Sequence, residues 1–258
     1  RYGVESVSKN RLTPIIPAYR ADIMHEVDLV EDLAIAYGYD SLKPTMPMTA
    51  TIGSETSITK VTRKIRDLMA GLGYIEVLNY IMTSKHQDAE KMRLPAETMA
   101  EIANPISSDF SALRSWLLPG LLSFLSSNKH VPYPQKIFEC GGAVAIDDRM
   151  PTRTFTKRKV AAAICDHKVS YEDVQSSLYS LLKNAGADSW HLQKADHPSF
   201  IKGRVAEITI ADERVGLLGE IHPQLIENFD IENPVAAFEL DLGLTFKVRD
   251  PEVERFPP

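Results

Sequence analysis

The sequence predicts an α+β fold: a mixed, mainly antiparallel sheet with helices packed on it, preceded by a smaller module. Three observations predict it. Strand-like segments at 135–146, 159–165, 203–210, 214–220 and 235–242 alternate with helical patterns near 119–129, 170–183 and 222–229. Several neighbouring strands are joined by turns too short for a crossover, such as Ala211-Asp-Glu213, which demands antiparallel pairing. A proline-spaced stretch through Lys43, Pro44 and Pro47 to Gly53 marks a boundary between residues 1–48 and 49–258.

Taken in order, residues 11–18 read as an extended segment held open by Pro14 and Pro17. A helix is expected from about His25 to Tyr37, with Val30, Leu33, Ala34 and Tyr37 facing a core and Gly38 as its stop. After the linker comes a strongly amphipathic helix over 57–72. Its apolar stripe is Ile58, Val61, Ile65, Leu68, Met69 and Leu72, while Lys60, Arg63, Lys64 and Arg66 face away. Gly71 and Gly73 end it, and residues 74–82 read as an alternating strand. His222-Pro223 is read as a helix opening. Arg114, beside the apolar run 116–125, is read as one half of a fixed ion pair.

Composition narrows the function. A formal charge of −6 and a pI near 5.7 argue against a whole-surface nucleic-acid binder. The densest basic run, Arg153, Lys157, Arg158 and Lys159, reads as a solvated loop and strand edge. Cys140 and Cys165 form no Cys-x-x-Cys pair and fit a reducing cytosol, with Cys165 as a buried strand residue. The run 116–125 is broken by Pro119, Gly120 and Ser123 and is too short to cross a bilayer. The first residue is an arginine, so the chain reads as part of something longer.

The segment 19–40 carries the chemistry. Asp28, Glu31 and Asp32 stand at i, i+3 and i+4, so a helix places them on one face, and Asp22 lies just before that helix. Acids also favour a helix's first turns, and Asp22 is a candidate cap, so a solvated acidic face accounts for the same residues. If a ligand joins the carboxylates, a hard divalent ion taking oxygen ligands, Mg²⁺ above all, is the natural one.

Five groups of residues, in order along the chain, resemble the beta subunit of phenylalanyl-tRNA synthetase in its archaeal and eukaryotic form. They are residues 19–39, Gly71-Leu-Gly-Tyr-Ile-Glu-Val77, Leu113-Arg-Ser-Trp-Leu-Leu-Pro-Gly-Leu-Leu122, Tyr133-Pro-Gln-Lys-Ile-Phe-Glu139, and Gly219-Glu-Ile-His-Pro223 followed by Val235-Ala-Ala-Phe-Glu-Leu240. The resemblance implies that 1–48 are the C-terminal part of a B5-type, helix-turn-helix-like accessory domain. Residues 49–258 would then be a catalytic-like module with the class II aminoacyl-tRNA synthetase fold. It implies an interface role for the helix at 57–72, and a Mg²⁺ held by Asp22, Asp28, Glu31 and Asp32 and shared with an alpha subunit. It further implies an (αβ)₂ heterotetramer in the cytoplasm that charges tRNA(Phe) with phenylalanine, using ATP.

This chain is expected to be catalytically silent within such a complex. Class II chemistry needs an arginine on an Arg-x-Glu strand to stabilise charge at the α-phosphate, and a second arginine after a Gly-x-Gly-x-Gly turn. No arginine here is followed two positions later by glutamate, and Gly71-Leu-Gly73 reads as a helix stop. No Walker loop, Rossmann fingerprint or nucleophile elbow is present in the sequence. The other reading is a free-standing class II-like paralogue acting as a small-molecule-binding regulatory module.

Overall fold

The computed structural model describes residues 2–48, 53–95 and 99–248. The chain divides into two compact units, Arg1–Gly53 and Ser54–Pro258. Of the expected linker, residues 49–52 lie outside the described residues.

The first unit is a two-stranded hairpin and a helix. Strands β1 (Gly3–Ser8) and β2 (Arg11–Ile15) pair antiparallel with a register shift between Val4 and Ser6. Helix α1 (Glu26–Tyr37) ends at Gly38, whose φ of 94° lies in the region that favours glycine. The expected inward stripe of α1 is corrected here. Val30, Leu33 and Tyr37 are each more than 60 % exposed, Ala34 is only partly covered, and no α1 residue is buried. A hairpin and one helix present too little apolar surface to cover that stripe.

The second unit is built on a seven-stranded sheet. Its strands are β3 (Ile75–Glu76), β6 (Gln135–Ile146), β7 (Thr154–Cys165), β8 (Trp190–Lys194), β9 (Phe200–Ile210), β10 (Glu213–Ile221) and β11 (Val235–Asp241). The spatial order is β3-β6-β7-β11-β10-β9-β8, with only the β3–β6 pair parallel. Short strands β4 (Met82–Thr83) and β5 (Ala112–Leu113) pair separately. The β9–β10 turn places Ala211 and Asp212 at φ 49° and 65°, the backbone a two-residue hairpin turn requires.

Period two in the central strands feeds two cores. Val160, Ala162, Ile164, Ala236, Phe238 and Leu240 face α2 (Ser57–Gly71), α4 (Tyr171–Ala185) and α6 (Leu242–Thr245). Ala161, Ala163, Cys165, Val235 and Ala237 face α3 (Leu118–Ser127) and α5 (Pro223–Asn228). Sheet faces covered on both sides explain the near-continuous apolar runs of β7 and β11.

The expected strand over 74–82 is broken. The backbone N–H of Val77 still donates to Phe138, but beyond it the chain leaves the sheet: Ile81 accepts the backbone N–H of Arg114 at 2.9 Å. Arg114 makes the buried ion pair read from the sequence, 2.7 Å to Glu139, and donates through Nε to the Gly142 carbonyl at 2.8 Å. Gly141 is required beside it, because a Cβ there would lie 2.4 Å from the guanidinium. The basic run is corrected at one end: Arg153 is exposed as read, whereas Lys159 is not. β7 is a central strand, so Lys159 is largely buried, with Nζ 2.7 Å from Glu239. His222 caps α5 as expected, accepting the Gln224 N–H at 3.1 Å with Pro223 at the first helical position.

Candidate functional site

The acidic residues are distributed by the way α1 begins. His25 is the N-cap, accepting the Val27 N–H at 3.4 Å. Asp28, three positions on, accepts the backbone N–H groups of His25 at 2.7 Å and Met24 at 2.8 Å, completing a capping box. Those two N–H groups, Met24 first, hold the Asp28 carboxyl below the usual carboxylate range. Asp22, the candidate cap, does not cap the helix. It is gripped bidentately by Arg20, with Nε 2.9 Å and Nη2 2.8 Å away, and this pairing lowers its pKa.

Arg20 also reaches Asp32, 2.8 Å from Nη1, and its guanidinium lies 5.4 Å from the Tyr2 ring centroid. The Tyr2 hydroxyl donates to the same Asp32 oxygen. Thus Asp22 and Asp32 are brought together around a cation the chain itself supplies, and Asp28 is spent on the helix start. Among the described residues Glu31 has no ion-pair partner, and no three His, Cys, Asp or Glu side chains converge as metal ligands would. Sequence reading missed Arg20 as the partner of these acids. Its signal was present: a cation two residues from Asp22 in Arg20-Ala-Asp22.

In the second unit the informative surface is apolar. β3 is an outermost strand, so one edge carries unpaired backbone groups. Along and after it Ile75, Leu78, Tyr80, Ile81 and Met82 are between 47 % and 79 % exposed. Phe110 extends the strip, its ring edge-on to Tyr80 at 6.0 Å. Monomeric proteins rarely leave so many large apolar side chains together in water.

Two family models cover almost the whole chain: the tRNA synthetase B5 domain over residues 1–39, and the phenylalanyl-tRNA synthetase beta chain CLM domain over 42–242. The chain belongs to the phenylalanyl-tRNA synthetase beta-chain family. It is similar to the phenylalanine–tRNA ligase beta subunit of Pyrococcus furiosus, 44 % identical over 93 % of this chain and 43 % of that protein. The beta subunits of Thermococcus sibiricus (43 % identical, 95 % and 44 % covered) and Thermofilum pendens (38 %, 96 % and 44 %) match comparably. The chain thus spans less than half the length of these beta-chain relatives. Relatives of this kind do not support the free-standing paralogue reading. Among the described residues no helix is long and apolar enough to cross a membrane.

Proposed function

We propose that the chain is the C-terminal part of a B5-type domain (1–48) and the catalytic-like module (49–258) of a beta subunit, and that it has no catalysis of its own. It would assemble with a catalytic alpha subunit as an (αβ)₂ heterotetramer. That complex would charge tRNA(Phe) with phenylalanine in the cytoplasm, consuming ATP bound outside this chain. Membership of the family supports this reading, and the observation that carries it is the exposed apolar strip of Ile75 on β3 and Leu78, Tyr80, Ile81 and Met82 after it. A scaffold that docks another polypeptide needs a surface of that kind, with large apolar and aromatic side chains at its centre. In the class II reading, α2 and the segment after it are the interface element.

The local sequence supports silence in catalysis. The short helix α6 follows β11 directly, and this strand-to-helix junction holds Glu239, Asp241 and a single glycine, Gly243, rather than a Gly-x-Gly-x-Gly turn.

Asp22, Asp28, Glu31 and Asp32 do not fit a Mg²⁺ site as they stand, because Arg20 neutralises two of them and backbone N–H groups hold a third. Mg²⁺ at these four residues is therefore proposed for the assembled protein only, with the alpha subunit completing the ligand set, and nothing else in the reading depends on it.

Co-purification with an alpha subunit tests the assembly. The pair should co-elute on gel filtration and aminoacylate tRNA(Phe), while the chain alone gives no phenylalanine-dependent ATP–diphosphate exchange. Leu78→Asp with Tyr80→Asp should abolish co-elution without changing the melting temperature. Exchange by the chain alone, or undiminished assembly of the double variant, overturns the reading. Glu31→Gln should weaken assembly in a Mg²⁺-dependent way, and unchanged assembly across Mg²⁺ levels removes the ion from it.

A further inference from the structure

Beside β7, β10 and β11 lies a cleft of about 320 Å³ whose lining includes Trp116, Lys157, His197, Arg214, Glu239 and Asp241. That volume is at the small end of pockets that enclose organic ligands.

The charged groups there divide into spent and unspent. Glu239 is spent: one oxygen accepts the backbone N–H groups of Leu117 and Leu118 at 2.8 and 3.1 Å, and the other binds Lys159 at 2.7 Å. Lys159 also donates to the Ser115 carbonyl at 3.3 Å. Asp241 accepts the Leu244 N–H at 3.1 Å and caps α6.

Lys157 is ion-paired with Asp241 but makes no hydrogen bond among the described residues: its Nζ stands 3.6 Å away, so its three donors are open. Arg214 is held by one 3.3 Å contact to Glu207, which stands outside the lining, and keeps further N–H groups open. His197 accepts the Ser199 N–H through Nδ1 at 3.3 Å, which places the proton of the neutral ring on Nε2 as another donor. The lining therefore holds three cations (Lys157, Lys159, Arg214) against two carboxylates (Glu239, Asp241), and apart from Asp241 Oδ2 beside Lys157 its open valences are donors.

The walls supply the other half of the chemistry. Trp116 and His197 stand with ring centroids 5.9 Å apart, and Leu94, Leu118 and Leu217 complete an apolar side. We propose that this cleft binds a small organic monoanion, its carboxylate on Lys157 and Arg214 and its flat apolar body against Trp116 and His197. A second negative charge on the ligand would meet Asp241 Oδ2, which stands beside Lys157. The site is independent of the assembly reading above and belongs to this chain alone.

The chain has two tryptophans, which gives the test a built-in control. Trp116 lines the cleft; Trp190 lies on β8 against Tyr179 at 4.3 Å and is not part of the lining. Titrating the whole ¹⁵N-labelled chain with 3-phenylpropionate should move the Trp116 indole signal saturably and leave Trp190 in place. Lys157→Gln and Arg214→Gln should each weaken binding about tenfold or more, the scale of one charge-assisted hydrogen bond. The neutral 3-phenylpropanamide should bind at least about tenfold more weakly than the acid on the same grounds. Arg214, half exposed, carries the test if the Lys157 variant does not fold. No saturable Trp116 shift at millimolar acid, an equal response to the amide, or full binding by Arg214→Gln overturns the proposal.

Discussion

Helices α1 and α4 start with the same device and end in opposite situations. In each, an acid at the third helical position accepts the N-cap backbone N–H: Asp28 to His25 at 2.7 Å, Asp173 to Ser170 at 2.9 Å. Yet α4 buries Val174, Leu178, Leu181 and Leu182 completely, while Val27, Val30, Leu33, Ile35 and Tyr37 of α1 are more than half exposed. Capping is local and needs nothing beyond four residues. Burial needs a partner surface, which the sheet gives α4 and the first unit's hairpin does not give α1. The second unit therefore rests on its own core, and the first rests on caps and ion pairs.

The largest effect that sharpens this contrast concerns Arg114. Removing it leaves Glu139, 2 % exposed, with only the Asn79 amide at 2.7 Å. Arg114→Ala should cost about 3–5 kcal/mol in chemical denaturation, and Arg114→Met with Glu139→Leu should recover most of it. Arg20→Ala, which breaks an equally short pair in the first unit, should move the unfolding midpoint far less. Equal losses would mean that ion pairs in the two units carry the same weight, and the contrast would fail.

A paired truncation on the helices comes next. Leu178→Ala in α4 should destabilise by about 2–5 kcal/mol, since a fully buried leucine leaves a cavity. Leu33→Ala in α1 should stay within about 0.5 kcal/mol, as exposed substitutions do. A cost at Leu33 like that at Leu178 would show α1 covered in solution.

The same contrast explains what the sequence made legible. β6 spans 135–146, as read, because a long apolar run between turn residues admits one assignment, and α2 departs from its expected end by a single residue. The inward stripe of α1 was misread because periodicity reports which residues are apolar, not whether anything covers them. Lys159 was placed on a solvated edge because nothing near it in sequence reveals Glu239 and Asp241, which the β7–β11 pairing brings alongside it. β8 went unread since His191, Gln193 and Lys194 hide an edge strand's pattern. At the acidic segment, the i, i+3, i+4 spacing was legible, but the reach of Arg20 across it depends on the chain path before α1.

The smallest effect is a difference of sign. Asp88 is 3 % exposed, and burial raises its carboxyl to about 6, although it accepts the Ser115 N–H at 3.0 Å and hydroxyl at 3.1 Å. An acid whose folded pKa is raised binds more protons folded than unfolded. Its contribution therefore falls as pH climbs from about 4 to 6, by about 2–3 kcal/mol for two units. Asp88→Asn should remove that fall while keeping an oxygen for the Ser115 N–H, so its stability relative to the parent rises over this window. Asp28 is shifted the other way by the Met24 and His25 N–H groups, so its contribution is present above about pH 4 and is lost as pH falls below it. Urea unfolding of Asp88→Asn and Asp28→Asn at pH values from 3 to 7 should give difference curves of opposite slope. Parallel curves would mean that burial does not desolvate the Asp88 carboxyl.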